Sequence, residues 1–213
     1  KLTKAKYAVA LVNGTSALHI SLLALGIKKD EEVLVPSLTF VGTANAISYT
    51  GAIPHFVDSE TTFFGIDFDK LDKYLKQNTK IIKGICINKN TNRKISAIVP
   101  VHIFGMIGNM DKLMEVAKKY KLFVIEDAAE ALGSFKKNKH AGMFGNCGCI
   151  SFNGNKIITT GGGGAVITNN KKLADAIRHL STTSKVKKEY KFYHDRLGFN
   201  YRMPAINAAL GIS

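Results

Sequence analysis

Short apolar runs alternate with helical patterns along most of this chain, and this alternation constrains the fold more than any other feature. The apolar runs, which are typical of buried strands, occupy residues 31–37, 53–58, 96–105, 122–128, 147–152 and 165–169. The helical patterns occupy residues 15–26, 39–51, 71–77, 110–121 and 171–180. This order predicts an α/β fold, with a mostly parallel central sheet flanked by helices and with ligands at the carboxyl ends of the strands.

Composition limits the class of protein. A chain of 213 residues, 46% of them apolar, is typical of a globular domain with a sizeable core, and no apolar run is long enough to span a membrane. The first residues lack the pattern of a signal peptide. Three cysteines are too few for a disulfide framework, and the pair Cys147 and Cys149 lacks further metal ligands. We therefore expect a cytoplasmic protein with buried thiols and no metal.

The net charge of +14 raises the question of a polyanionic partner. The lysines occur in pairs spread over expected helix surfaces and loops, which favours solvated faces. Neither an RNA-binding aromatic motif nor zinc-finger spacing occurs in the sequence, so we expect no nucleic-acid partner. The charge also suits an enzyme whose substrates are phosphate esters. The charged and aromatic segment 182–195 is expected to be a flexible surface or interface loop.

The stretch SFNGNKIITTGGGG, residues 151–164, places Lys156 ahead of four consecutive glycines. A phosphate-binding P-loop needs its lysine after the glycines, and the dinucleotide-binding fingerprint fails because Val166 stands at its third glycine position. A lysine in a loop is ordinarily solvated. In a partly dry pocket, however, its amine can lose a proton and form an imine with a carbonyl, and a glycine-rich turn lets the backbone approach a ligand closely.

Polar residues follow several of the predicted strands. Asp58, His102 and Asp127 stand where strands end, on the side where ligands bind in such folds. Asp127 follows a run of apolar residues, and a carboxylate there is costly unless something pairs with it. A helix cap or a salt bridge would explain it as well as a ligand would. His102 is the best candidate among the histidines.

Two further groups suit a ligand with a phosphate and a flat ring. Gly14, Thr15 and the serine that follows them stand at a predicted helix start, where backbone N–H groups and hydroxyls bind anions, although an ordinary helix cap would look the same. Ser151 offers another hydroxyl, and Phe40 could stack on a ring or simply join the core. An imine-forming lysine, an acid and a phosphate site together match pyridoxal 5′-phosphate, which needs all three.

The sequence resembles the DegT/DnrJ/EryC1/StrS family of pyridoxal-phosphate-dependent nucleotide-sugar aminotransferases, which have the large domain of fold type I. The matching segments follow the family's order and span nearly all of the chain. They are NGTSALHISLLALGI, EVLVPSLTFVGTANAISYTGAIPHFVD, PVHIFG, VIEDAAEALGS, SFNGNKIITTGGGGAVITN and GFNYRMPAINAALG. The fifth segment is most similar to the subgroup that aminates 4-keto UDP- or GDP-linked sugars for bacillosamine- and legionaminic-type glycans.

The resemblance implies a role for each matching position. Lys156 would bind the cofactor covalently and then move protons, and Asp127 would pair with the pyridinium nitrogen. Glu130 stands where the family often has a glutamine or histidine near the ring hydroxyl. Asn200 matches an asparagine that reaches the cofactor phosphate of the neighbouring subunit, which implies a homodimer with shared active sites. The remaining cofactor contacts would be Gly14, Thr15 and Ser151 on the phosphate and Phe40 on the ring.

The resemblance implies a reaction that moves an amino group from glutamate, through pyridoxamine phosphate, to a 4-keto nucleotide-linked deoxysugar. We expect the nucleotide of this substrate to be UDP rather than GDP. Asn153 and Gly162 depart from the wider family, which often has histidine and glutamate at these positions. A sugar dehydratase of the same family is the first alternative, but those relatives replace the lysine with histidine. A non-catalytic binding protein with the same fold is the second.

The two ends of the chain also bear on its organisation. The first residue is not methionine, and the last stretch, RMPAINAALGIS, is a helical pattern that stops partway. We therefore expect residues 1–213 to be the cofactor-binding large domain of a longer protein, without the N-terminal segment and the smaller C-terminal domain that the resemblance implies.

Overall fold

The computed structural model describes residues 2–188 and 191–213, which form a mixed sheet with helices on both faces. The strands are β1 (Tyr7–Leu11), β2 (Glu32–Pro36), β3 (Ile53–Val57), β4 (Thr79–Ile82), β5 (Ile85–Asn88), β6 (Lys94–Ile98), β7 (Phe123–Asp127), β8 (Phe135–Lys136), β9 (Lys139–His140), β10 (Cys147–Ser151), β11 (Gly164–Thr168), β12 (Lys185–Lys188) and β13 (Lys191–His194). The α-helices are α1 (Gly14–Ala24), α2 (Val41–Tyr49), α3 (Phe68–Asn78), α4 (Met110–Tyr120), α5 (Lys171–Ser181) and α6 (Ala205–Leu210).

The central sheet has the strand order β1-β11-β10-β7-β6-β2-β3. Strands β3, β2, β6, β7 and β10 run parallel to one another, whereas β11 is antiparallel to both β10 and β1. The β4–β5 hairpin extends the sheet through an antiparallel pairing of β5 with β6. The predicted α/β fold with a mostly parallel sheet is therefore confirmed.

The core lies on both faces of this sheet. One apolar cluster contains buried side chains of α1, α2 and α5, and the other contains those of α3 and α4. Helix α4 shows how the sequence produces this layer, because Leu113, Val116, Ala117 and Tyr120 repeat at helical spacing and all are buried. Replacing one such leucine with alanine typically costs about 2–5 kcal/mol. Among the described residues, no helix is both long and apolar enough to cross a membrane.

The parallel strands carry the candidate residues to one edge of the sheet. Strand β7 ends at Asp127 and β10 ends at Ser151, and these strands are neighbours in parallel register. Strand β1 runs in the same direction and leads through Asn13 into α1. Helix α2 begins at Val41, after the loop that leaves β2.

Some local expectations were wrong. The α1 cap is Asn13 and not Thr15 or Ser16, because the Asn13 side chain accepts a 2.7 Å hydrogen bond from the Ser16 N–H. Segment 182–195 contains the antiparallel β12–β13 hairpin, although residues 189 and 190 lie outside the described residues. Strands β1, β4 and β5 were not predicted. Strand β1 buries only Val9 and Leu11, while both isoleucines of β4 and Ile85 of β5 are exposed.

Candidate active site

Asp127 is a buried carboxyl group with donors on both oxygens. Its Oδ2 accepts a 2.7 Å hydrogen bond from the Thr43 hydroxyl, and its Oδ1 accepts a 3.1 Å bond from the Ala129 N–H. Burial raises the pKa of Asp127 above its usual value, although both hydrogen bonds and the charge of Lys156 oppose that rise. The site therefore contains an acid whose charge is only partly compensated by this chain.

Lys156 lies in the turn after β10 and is mostly buried, with 16% of its side chain exposed. Its Nζ is 3.1 Å from Glu130 Oε1. The other oxygen of Glu130 accepts a 3.0 Å hydrogen bond from the Phe104 N–H. Burial raises the pKa of Glu130, but these hydrogen bonds and the lysine charge outweigh it and leave the pKa below its usual value. Lys156 is thus held by a carboxylate close to Asp127.

The start of α1 and the end of β10 are in direct contact. A Cβ built on Gly14 would lie 3.0 Å from the Cβ of Ser151, so a larger residue would crowd this space. The N–H groups of Gly14 and Thr15 have no acceptor inside the helix, because they belong to its first turn. Together with the Ser151 hydroxyl they form an arrangement that suits an anion.

Phe40 lies beside this group of residues. A Cβ built on Gly42 would approach Thr15 Oγ1 to 2.9 Å and the ring of Phe40 to 3.0 Å, which shows that these residues are neighbours. The ring is 73% exposed, so Phe40 is not a core residue. It is free to stack on a planar ligand.

The glycine run shapes the backbone behind the lysine turn. Gly161 and Gly163 have positive φ angles of 75° and 146°, which favour glycine. A Cβ built on Gly164 would lie 2.5 Å from the carbonyl carbon of Asn13, so only a glycine lets β11 pass the start of α1. Gly164 therefore lets β11 pass close to the start of α1, while the expected approach of the glycine-rich backbone to a ligand stays a prediction.

The side chains of His102 and Asp58 have other partners. His102 is buried, and its Nε2 is 2.9 Å from Glu126 Oε2. Glu126 also accepts hydrogen bonds of 2.6–2.8 Å from the N–H groups of Gly142, Phe144 and Gly145. The structure thus places His102 in a structural network next to Asp127. The side chain of Asp58 is exposed and lies 3.4 Å from Lys70, outside the cluster.

The remaining histidines and cysteines have structural partners. From the sequence, His140 is expected to be a solvent-exposed loop residue, but it is buried and its Nε2 accepts a 2.9 Å hydrogen bond from the Gly133 N–H. His19 packs edge-on against Tyr49, Phe199 and Tyr201. The predicted burial of the thiols is confirmed, since the free cysteines Cys86, Cys147 and Cys149 are all buried.

Asn200 stays outside the cluster within this one chain. It is exposed, and it pairs through a backbone bridge with Thr182. The next residue, Tyr201, accepts a 2.9 Å hydrogen bond from the N–H of Val12, just before α1. Asn200 therefore projects from a segment anchored beside the start of α1.

Thr43 is the residue of the site that sequence reasoning missed. The hydroxyl contacts Asp127 across 84 residues of sequence, and Thr43 stands in the first turn of α2, where a threonine looks like an ordinary helix residue. The same helix also contains Asn45 and Ser48, so no signal in the sequence distinguishes Thr43 from them.

The chain's residues fit pyridoxal phosphate. The compact space at Gly14 and Ser151, the free N–H groups of α1, the exposed ring of Phe40 and the two side chains Asp127 and Lys156 all lie at one edge of the sheet. Asp127 is the main indication that the site suits this cofactor. Burial raises the pKa of its carboxyl group, so a cationic partner would stabilise the ionised form most strongly.

Comparison with known proteins identifies relatives with the same fold. The chain is 42% identical to GDP-perosamine synthase from Caulobacter vibrioides and 43% identical to GDP-perosamine synthase from Escherichia coli O157:H7, with 98% of this chain and 52% of each relative covered. The chain thus spans about half the length of these curated relatives.

Solved structures agree. A DegT DnrJ EryC1 StrS aminotransferase from Brucella abortus superposes with a TM-score of 0.87 at 32% identity, covering 98% of this chain and 53% of that one. NtdA from Bacillus subtilis, solved with bound cofactor PMP, superposes with a TM-score of 0.81 at 32% identity, covering 98% and 43%. The profile of one family matches residues 1–213 in full. The chain therefore belongs to the DegT/DnrJ/EryC1/StrS aminotransferase family.

Proposed function

We propose that this protein uses pyridoxal phosphate to transfer an amino group from glutamate to the keto carbon of a 4-keto nucleotide-linked deoxysugar, for surface glycan or glycoconjugate biosynthesis. The observation that carries the proposal is the convergence of Lys156 and Asp127 with the anion-binding start of α1 at one edge of the sheet. Family membership supports amino transfer, and the PMP bound to NtdA supports the cofactor.

Each residue of the site has a place in this proposal. The first-turn N–H groups of Gly14 and Thr15 and the hydroxyl of Ser151 bind the cofactor phosphate, and Phe40 stacks on the ring. Asp127 pairs with the protonated ring nitrogen. When bound, pyridoxal phosphate supplies an aldehyde that bonds to amines and a ring that accepts electrons.

Lys156 has the role of moving protons in this proposal, and Glu130 has the role of orienting Lys156. The Lys156 amine would hold the cofactor covalently and, when free, would carry a proton between the reacting carbon atoms. Glu130 lies 3.1 Å from Lys156 Nζ and is itself fixed by the Phe104 N–H, so it keeps the lysine directed into the site. The resemblance implies that the same carboxylate would also lie near the ring hydroxyl of the cofactor.

The assembly is part of the proposal. Residues 1–213 form the cofactor-binding large domain, and the active protein is a homodimer in which Asn200 of each subunit reaches the other subunit's cofactor phosphate. The exposure of Asn200 and its anchored position beside the start of α1 support this role. The buried free thiols fit a reducing compartment, and we place the protein in the cytoplasm.

An amine-transfer assay tests the function. The protein is incubated with pyridoxal phosphate, ¹⁵N-labelled glutamate and a 4-keto-6-deoxy sugar linked to GDP or to UDP, and the sugar product is analysed by mass spectrometry. Both nucleotides are needed, because we expect UDP, whereas the relatives at 42% and 43% identity are named for a GDP sugar. Transfer of ¹⁵N to either sugar supports the proposal. Loss of a sugar hydroxyl without amine transfer would replace it with the dehydratase alternative.

Subunit mixing tests the shared site. The Lys156→Ala and Asn200→Ala proteins should each be strongly impaired. In a dimer with one subunit of each kind, one of the two shared sites contains both substitutions and the other site contains neither. Mixing after mild dissociation should therefore restore activity to about a quarter of the wild-type value. No restoration, in mixed dimers verified by mass, would argue that Asn200 serves its own subunit.

A further inference from the structure

We propose that Thr39 and Thr43 form a hydroxyl relay that positions Asp127 and favours its ionised form, which makes Thr43 a positioning residue for the acid that binds the cofactor's ring nitrogen. The function of the relay rests on the proposed use of pyridoxal phosphate. Its effect on Asp127 is a property of the protein alone and can be measured without the cofactor.

The geometry gives a continuous chain of hydrogen bonds. The Thr43 hydroxyl is 2.7 Å from Asp127 Oδ2, and the Thr39 hydroxyl is 3.0 Å from the Thr43 hydroxyl. Thr43 and Asp127 are both buried, so water does not compete for this bond. A hydrogen bond to an ionised acceptor in a buried site is about twice as strong as one between neutral groups.

The Thr43 hydroxyl does not cap the helix in which it lies. Helix α2 has no side-chain cap, since Phe40 occupies the cap position, and the Thr43 N–H is satisfied by the Phe40 carbonyl at 3.0 Å. Serine and threonine hydroxyls near a helix start usually bond to nearby backbone groups. The Thr43 hydroxyl is directed instead to a strand across the core, which is the observation that points to a role on Asp127.

The relay can work in both protonation states of the acid. When Asp127 is ionised, Thr39 donates to Thr43 and Thr43 donates to the carboxylate. When Asp127 is protonated, it donates to Thr43, Thr43 donates to Thr39, and Thr39 donates to the Phe40 carbonyl, which lies 3.3 Å away. The carboxyl group therefore keeps one orientation whether or not its ring partner is present, and the ionised state gains the stronger bonds.

Other groups around Asp127 also act on its charge. His102 and Lys156 favour the ionised form through their charges, and the Ala129 N–H does so through a hydrogen bond. Cys149 lies on the neighbouring strand, and burial raises the pKa of its thiol, with a further contribution from the Asp127 charge. Burial opposes all of these and prevails, which raises the pKa of Asp127. Thr43 provides the shortest of the hydrogen bonds that limit this rise.

The test is the titration of Asp127 in the protein without cofactor, followed by ¹³C NMR of labelled aspartate carboxyl groups and assigned with Asp127→Asn. Thr43→Val keeps the side-chain shape and removes the hydroxyl, and it should raise the pKa of Asp127 by about one unit or more. Thr43→Ser should restore the wild-type value, and Thr39→Val should give a smaller rise. Thr168→Val is the matched control, because Thr168 is a buried threonine that donates to the Asn146 carbonyl at 2.7 Å.

An unchanged Asp127 pKa in folded Thr43→Val would overturn the relay, as would a Thr168→Val effect of the same size. The partly exposed Thr39→Val keeps the test decisive if Thr43→Val does not fold, because an unchanged Asp127 pKa in Thr39→Val would also overturn the relay. Absorption titration with pyridoxal phosphate then separates the two proposals. We expect roughly tenfold weaker binding in Thr43→Val than in wild type, which corresponds to one pKa unit. If the wild type binds no cofactor, the proposed function fails, while the NMR titration still decides on the relay.

Discussion

Lys156 Nζ lies 3.1 Å from Glu130 Oε1, so the only charged side chain in the lysine turn is held by a carboxylate from the turn that follows β7. Strands β7 and β10 are neighbours in the sheet, which brings the two turns to the same edge. Because the Phe104 N–H holds the other carboxylate oxygen, the ion pair connects three segments of the chain. This contact fixes the direction of the lysine before any ligand binds.

Glu130→Gln tests this ion pair through the pH dependence of stability. The pKa of Glu130 is lowered in the folded protein, so its contribution is present above the unfolded value of about 4.3 and is lost as the pH falls through the folded pKa. Urea unfolding should find the wild type more stable than Glu130→Gln at pH 7, with a gap that closes on acidification. The gap should be on the order of 1 kcal/mol or less, because 40% of the side chain is exposed. A gap that widens in acid would contradict the ion pair.

Asp127→Asn should make the cofactor-free protein more stable at neutral pH. The folded pKa of Asp127 is raised, so the folded state binds more protons than the unfolded state above about pH 3.9, and stability falls as the pH rises through the folded pKa. An amide removes this cost and can still bond to Thr43. Thermal unfolding should show a higher Tm, by roughly 2–4 °C for each kcal/mol gained.

The same substitution should greatly weaken cofactor binding, because the amide carries no charge for the ring nitrogen. Asp58→Asn is the control, since that carboxylate is exposed and lies outside the cluster. A lower Tm for Asp127→Asn would mean that the carboxylate stabilises the folded protein. Its contacts within the chain would then outweigh the cost of burying its charge.

Two glycines of the same run should respond differently to alanine. The Cβ of Gly164→Ala would lie 2.5 Å from Asn13 C and 2.8 Å from Gly14 N, and these backbone atoms cannot move without displacing the start of α1. We expect a loss of about 1–3 kcal/mol together with weaker anion binding. Gly162→Ala is the matched control, because its Cβ would have no neighbour closer than 3.9 Å. Equal melting temperatures for the two variants would refute this account of the glycine run.

Much of the fold could be predicted because its signals are local. The repeat of Leu113, Val116 and Tyr120 marks α4, and the apolar run before Asp127 marks β7. The sites at strand ends follow from these elements, since parallel strands place their carboxyl ends together. Lys156, Asp127, Ser151 and their neighbours were accordingly predicted from spacing, chemistry and family resemblance.

The rest depends on contacts between distant residues. The hydrogen bond from Thr43 to Asp127 joins positions 84 residues apart, and nothing near Thr43 in the sequence signals it. His140 looks like a loop residue, but the short β8–β9 hairpin turns it into the interior. Three backbone N–H groups donate hydrogen bonds to Glu126. The sequence alone does not reveal which carboxylate accepts them.

The most direct measurement of the central claim is the covalent attachment of pyridoxal phosphate to Lys156. The protein is mixed with the cofactor and reduced with borohydride, and its peptides are then mapped by mass spectrometry, alongside Lys156→Ala and the exposed-loop control Lys137→Ala. We predict a stable adduct on Lys156 in the wild type and in Lys137→Ala, and none on any residue at comparable yield in Lys156→Ala. Adducts spread over surface lysines, or an undiminished yield without Lys156, would contradict the account.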